Sequence, residues 1–170
     1  DRATVLRRVD ERGETEFVER LEKGDIICVQ GEFDECEAVL EALKLPFTLV
    51  PRAKAGETLK TIDPRSVLVF DCNGDLETAL KGPDAKALAQ FVERGGYLFT
   101  SDWGIAEEIA PAIPGFIGAG PEMPEEEFAV KIAPARGAEK HAYLRDVFPE
   151  NPFERGRMKW MIDKQAYAIK

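Results

Sequence analysis

Histidine is almost missing from this chain: 170 residues contain one, His141, and only three cysteines, Cys28, Cys36 and Cys72. Three thiols at irregular spacing build no disulfide framework. With no CxxC and no Cys/His cluster, no metal is expected. Basic charge is also short, since 23 Lys and Arg face 32 Asp and Glu for a formal net charge of −9. Such a surface repels phosphate backbones, and no Lys/Arg cluster offsets it, so nucleic acid is excluded as a partner. No apolar run approaches the roughly 18 residues of a membrane span and no signal-peptide pattern is present. Membrane insertion by this segment is therefore not expected, and a reducing cytoplasm is the expected compartment. Neither GxGxxG behind the first strand nor GxxxxGK[ST] occurs, which removes dinucleotide and P-loop readings and leaves no cofactor expected. An initiator Met is lacking as well, and the chain stops inside the strand-like "QAYAIK". It is expected to be a piece of a longer protein, truncated at the C-terminus.

What is present is an ordinary globular composition, 44% apolar with ten Phe, enough to bury a core. "TEFVERLEKGD" (15–25) has helical spacing and closes a helical lead-in over residues 1–24. "DIICVQG" is an apolar run closed by Gly, the pattern of a strand buried on both faces. "DECEAVLEALKLP" is a helix with Asp34 as its expected N-cap and Pro46 as its stop. "FTLV" and "SVLVFDCNGD" are two further strands, the second running into an Asn-Gly turn. "PDAKALAQFVERGG" is a helix that starts at Pro83 and ends on a double glycine. "YLFTSD" is the fourth strand. The order β-α-β-β-α-β predicts an α/β domain over residues 25–170, with a mainly parallel sheet and helices on both faces. Residues 111–127, rich in Pro and Gly, read as irregular loop. "FAVKIAP", "MKWMID" and "AYAIK" read as C-terminal edge strands, and "HAYLRDVF" as a short helix or turn.

In such sheets ligands bind at the carboxyl ends of the strands. That places the candidate cleft at Glu32, at Cys72, Asn73 and Gly74, and at Ser101 and Trp103. The Asn-Gly turn either offers backbone N–H groups to an anion or simply needs a positive φ. Asp71 and Asp102, at neighbouring strand ends, either pair for acid–base or metal chemistry or cap the elements that follow them. Trp103 either stacks on a ligand or plugs the pocket. Trp160, Tyr143 and Tyr167 read as packing aromatics.

The runs "SVLVFDCNGDL" and "AKALAQFVERGGYLFTSDWG", with the later "KHAYLRDVF" and "WMIDKQAY", resemble the class I glutamine amidotransferase-like fold, in its ThuA-like branch. The resemblance covers residues 25 to 170 and implies a flavodoxin-like three-layer sandwich. Amidotransferases of this kind place a Cys in a sharp strand-to-helix elbow, activated by a His that a Glu orients. Here the elbow falls on Asp102, His141 is followed by Ala142, and Cys72 stands on the neighbouring strand. Glutaminase activity is not expected. Two functions stay open. One is a catalytically inactive domain that serves as an interaction or scaffold module for a protein partner or neighbouring domain. The other is a ThuA-like hydrolase or sugar-related enzyme using Asp71, Asp102 and His141.

Overall fold

The computed structural model describes residues 2–169 except 75, 76, 78, 118, 123–125, 142, 143, 145, 146, 149, 150, 156 and 163–166. Two compact units emerge, residues 1–120 with 169–170, and residues 121–168.

Four short apolar runs form the sheet of the first unit: β1 (Ile26–Val29), β2 (Thr48–Val50), β3 (Val67–Phe70) and β4 (Tyr97–Thr100). All neighbours are parallel in the order β2-β1-β3-β4, with Cys28 beside both Leu49 and Val69, and Val69 beside Phe99. Each of the four matches the sequence expectation to within a residue or so. The order is that of a flavodoxin-like α/β sandwich, and it reverses between β1 and β3.

Side-chain alternation sorts this sheet's core into two layers. Ile26, Cys28 and Val69 face Cys36, Leu40 and Leu45, on or beside α3 (Cys36–Leu43). Val29, Leu68 and Phe70 face the opposite way, onto α4 (Ala55–Thr61) and α5 (Gly82–Glu93), where Leu59, Leu88 and Phe91 are fully buried. The N-terminal lead-in consists of α1 (Arg2–Glu11) and α2 (Thr15–Glu19), and Arg2 Nε reaches the Leu43 carbonyl at 3.0 Å. The second of these helices stops at Glu19 rather than running on to Gly24.

Helix α4 is the element that the sequence pattern conceals. "AGETLKT" carries one large apolar residue and a glycine, so its periodicity is weak. Yet Ala55, Leu59 and Ile62 all bury, at spacings of four and three. Topology demands the helix in any case: two parallel strands cannot be joined by a hairpin and need a crossover. Two further elements interrupt the stretch expected to be irregular, a helical turn at Ala110–Ala112 and a strand at Ala119–Glu122.

In the second unit Phe128–Lys131 pairs antiparallel with Lys159–Ile162, placing Val130 opposite Trp160. Trp160 is more than half exposed there and is not a core residue. Tyr167–Ile169 is a strand, as expected. Tyr143 and half of the 141–148 segment lie outside the described residues, but Leu144 N–H bonds the His141 carbonyl at 2.9 Å, which makes a turn.

Candidate functional site

The C-terminal ends of β1 and β3 flank a cleft of about 420 Å³ lined by Gln30, Gly31, Glu32, Arg52, Ala53 and Asn73. It sits where the strand order reverses, the place this architecture reserves for ligands. Glu32 and Asn73 were expected here from their strand-end positions. Arg52 was not.

Arg52 follows β2 and Pro51, in a single 3₁₀ turn. Its guanidinium lies over the Phe70 ring at 4.5 Å and donates to the Asp71 carbonyl at 3.3 Å. It also reaches two fully buried carboxylates, Glu108 Oε1 at 2.8 Å and Glu107 Oε2 at 3.5 Å. Those glutamates are consecutive, and a regular α-helix would turn consecutive side chains well apart. They lie on a π-helical turn, Ile105–Ile109, a winding found frequently at functional sites. Burial pushes the Glu108 carboxyl up to about 8; Arg52 opposes the shift and the adjacent Glu107 adds to it. At neutral pH Glu108 therefore holds its proton.

Glu107 also meets the Asn-Gly turn. Asn73 N–H, one of the donors that could have held a ligand anion, donates to Glu107 Oε2 at 3.0 Å. Gly74 takes φ 65°, the left-handed conformation its turn requires. At the end of β3 this N–H is taken by the chain's own Glu107.

The "SDWG" turn has the strand–turn–helix shape expected of it, and Asp102 stands at the elbow with φ 47°. Asp tolerates this left-handed conformation better than most residues. The carboxylate is exposed, and the helical turn that follows takes Gly104 as its cap. Gly104 is required for space: a Cβ there would collide with Thr100 Oγ1 and lie 2.7 Å from Glu108 Oε2. Trp103 is half-buried behind Asp102.

Two aspartates exchange the partners expected of them. Asp34 does not cap α3, whose cap position is Glu35. It accepts the Ser101 hydroxyl and, at 3.3 Å, the Cys72 N–H, tying β3 and β4 together at their ends. Asp71 does not cap its own turn. Its Oδ2 accepts the N–H of Cys36, the first residue of α3, at 3.2 Å. The reason is the pleat: Asp71 follows Val69 onto the α3 side of the sheet, whereas Cys72 follows Phe70 onto the opposite side.

The residues expected to form a carboxylate–histidine site have different surroundings. Asp71 is fully buried and turned toward α3, while Asp102 is exposed at the elbow and His141 is exposed in the second unit. All three cysteines are free. Cys72, at the strand end nearest the elbow, is buried; burial pushes its thiol up to about 11 although the Trp103 and Gly74 N–H groups bond its sulfur. Cys28 and Cys36 are pushed up to about 12, first by burial and then by the nearby carboxyls. In all three, burial disfavours the thiolate at neutral pH.

Arg52, Glu107 and Glu108 escape a sequence reading because they meet across more than fifty residues. One signal was available, since "GIAEEIA" sets two adjacent acids in an apolar helical run, and unpaired acids are almost never fully buried. Compared with family models, curated proteins and solved structures, the chain matches none of them.

Proposed function

We propose that this domain is a glutamine amidotransferase-like α/β unit without amidotransferase chemistry, and that it acts as an interaction module for a protein partner or neighbouring domain. One observation carries the proposal: the positions where such a fold would hold its nucleophile and its anion are occupied by exposed Asp102 and by Glu107, an internal carboxylate. The protonated state of Cys72 and the turning away of Asp71 support the same reading. The rim of the strand-end face carries an exposed aromatic, Phe33, beside exposed Glu32 and Asp102. Aromatic anchors with a polar rim suit protein contacts.

The test has two arms. Purified protein incubated with glutamine, simple esters and phosphate esters is expected to show no rate above buffer. Turnover that disappears in Asp102→Asn at unchanged melting temperature would assign an enzyme instead. In intact source cells, a photo-crosslinking residue at position 33 is expected to give a discrete protein adduct. The same residue at exposed position 153, in the other unit, is the control. Equal labelling, or none at 33, would refute the interaction role.

A further inference from the structure

On the face of the sheet opposite Arg52, four side chains of metal-binding type converge from three parts of the chain. Cys28 lies in β1, Asp71 follows β3, and Cys36 and Glu37 open α3. The ligand atoms of Cys28, Glu37 and Asp71 lie within 4.8 Å of one another. Their spacing in the sequence, 28, 37 and 71, matches no metal motif, which is why a reading of the sequence passes over them.

The hydrogen bonding around the two carboxyls is half complete in each. Asp71 Oδ2 accepts the Cys36 N–H at 3.2 Å and touches Cys28 Sγ at 3.8 Å, whereas Oδ1 has no donor although the residue is fully buried. Glu37 Oε1 accepts Gln30 Nε2 at 3.4 Å, and its Oε2 is also buried without a donor, the Asp71 and Glu37 side chains lying within hydrogen-bond reach of each other. A bare acceptor buried without a partner is costly, so two of them in one cluster need a proton or a cation. Loops and turns do not explain the arrangement, because each carboxyl is already oriented by a donor on its other oxygen.

We propose that Cys28, Glu37 and Asp71 form a binding site for one borderline-soft divalent cation, Zn²⁺. The thiol is what selects the metal class. Mg²⁺ and Ca²⁺ require all-oxygen shells, whereas Zn²⁺ accepts sulfur and carboxylate oxygen together. The ligand atoms lie within 4.8 Å of one another, so the site must close somewhat to reach the S–O separation of about 3.5 Å that Zn–S near 2.3 Å and Zn–O near 2.0 Å set in a tetrahedron. The donors on Asp71 Oδ2 and Glu37 Oε1 are the outer hydrogen bonds that orient metal ligands, and they leave Oδ1 and Oε2 for the ion. Water would supply the fourth ligand, since Cys36, whose thiol hydrogen-bonds Asp71, is not in the group of atoms within 4.8 Å of one another. Entry is from the start of α3, where Cys36 and Glu37 are only half-buried.

Binding balances as a proton exchange. Cys28 loses its S–H proton to solvent as the S–Zn bond forms, and any proton held by the two carboxyls leaves with it. Affinity should therefore fall as pH is lowered. No step depends on the strand-end face, so this site stands or falls separately from the proposed interaction role.

Co²⁺ is the spectroscopic probe. Reduced, chelator-stripped protein titrated with Co²⁺ is expected to develop a thiolate-to-cobalt charge-transfer band that saturates at one equivalent and disappears when Zn²⁺ is added. Cys28→Ser should lose the band, and Glu37→Gln should weaken Zn²⁺ binding at least about tenfold in a chelator competition. Because position 37 is half-buried, the Glu37→Gln variant is expected to fold, and far-ultraviolet circular dichroism checks that it does. Absence of a saturating band in folded wild-type protein would overturn the proposal, as would equal Zn²⁺ affinity in Glu37→Gln. Either result would mean that Asp71 and Glu37 share a proton instead.

Discussion

Replacing Glu108 with Gln should remove a pH dependence that the chain carries in its core. Glu108 is fully buried, with Oε1 on Arg52 at 2.8 Å and Oε2 accepting the Thr100 hydroxyl at 3.3 Å. Gln keeps the shape, accepts from Arg52 through its carbonyl and donates its amide to Thr100 or Glu107. What changes is the proton. The wild-type carboxyl rises from 4.5 to about 8 on folding, chiefly through burial. Between those values the folded chain binds a proton that the unfolded chain has released, so stability is fully present below 4.5 and is lost as pH rises toward 8. At about 1.4 kcal/mol per unit, the loss reaches ~4 kcal/mol near pH 8, a large share of the 5–15 kcal/mol that typical domains possess. The amide of the Glu108→Gln variant does not titrate in this range. Urea unfolding of both proteins from pH 4 to 9 should give midpoints that track one another below pH 5. By pH 8 they should diverge by about 2 M in favour of Glu108→Gln, given slopes of roughly 1–3 kcal/mol per M. Parallel curves over the whole range would show that Glu108 ionises without penalty, against its burial beside Arg52 and Glu107.

The elbow and the thiols give two more expectations. Asp102 holds φ 47°, so Asp102→Gly should match or exceed wild-type stability by up to ~1 kcal/mol and Asp102→Asn should stay within ~0.5 kcal/mol, while β-branched Asp102→Val should lose at least ~1 kcal/mol. Calorimetric melting of the three variants checks this, and a larger loss in Gly than in Val would refute the left-handed assignment. For the thiols, with Cys28 and Cys36 pushed up to about 12 and Cys72 to about 11, a thiol reagent at pH 8 should modify native protein at least ~100-fold more slowly than protein in denaturant. Half-buried Cys36 should react first. Rapid labelling of all three without denaturant would contradict the burial of Cys28 and Cys72.

The four parallel strands were legible in the sequence because each is a short apolar run, and Gly31, Pro51 and the Asn73-Gly74 turn punctuate them visibly. So were α3 and α5, whose apolar faces repeat at helical spacing, and the strand–turn–helix shape of the elbow, since Asp102 and Gly104 suit a sharp turn. Periodicity reports which face a residue occupies but never which distant residue it meets. Arg52 finds Glu107 and Glu108 only after β2 and β4 are set on opposite sides of β1 and β3, and the π-helical turn that carries both acids has no sequence signature. Asp34 and Asp71 exchange their expected capping roles because the pleat sends consecutive strand-end residues to opposite faces, so a local donor loses to one supplied across the fold. The same crossing of chain segments brings Cys28, Glu37 and Asp71 together from positions that no spacing rule connects. Strands and helices follow from local pattern; the chemistry at their ends is decided by long-range packing, because hydrogen bonds and charges act between neighbours in space.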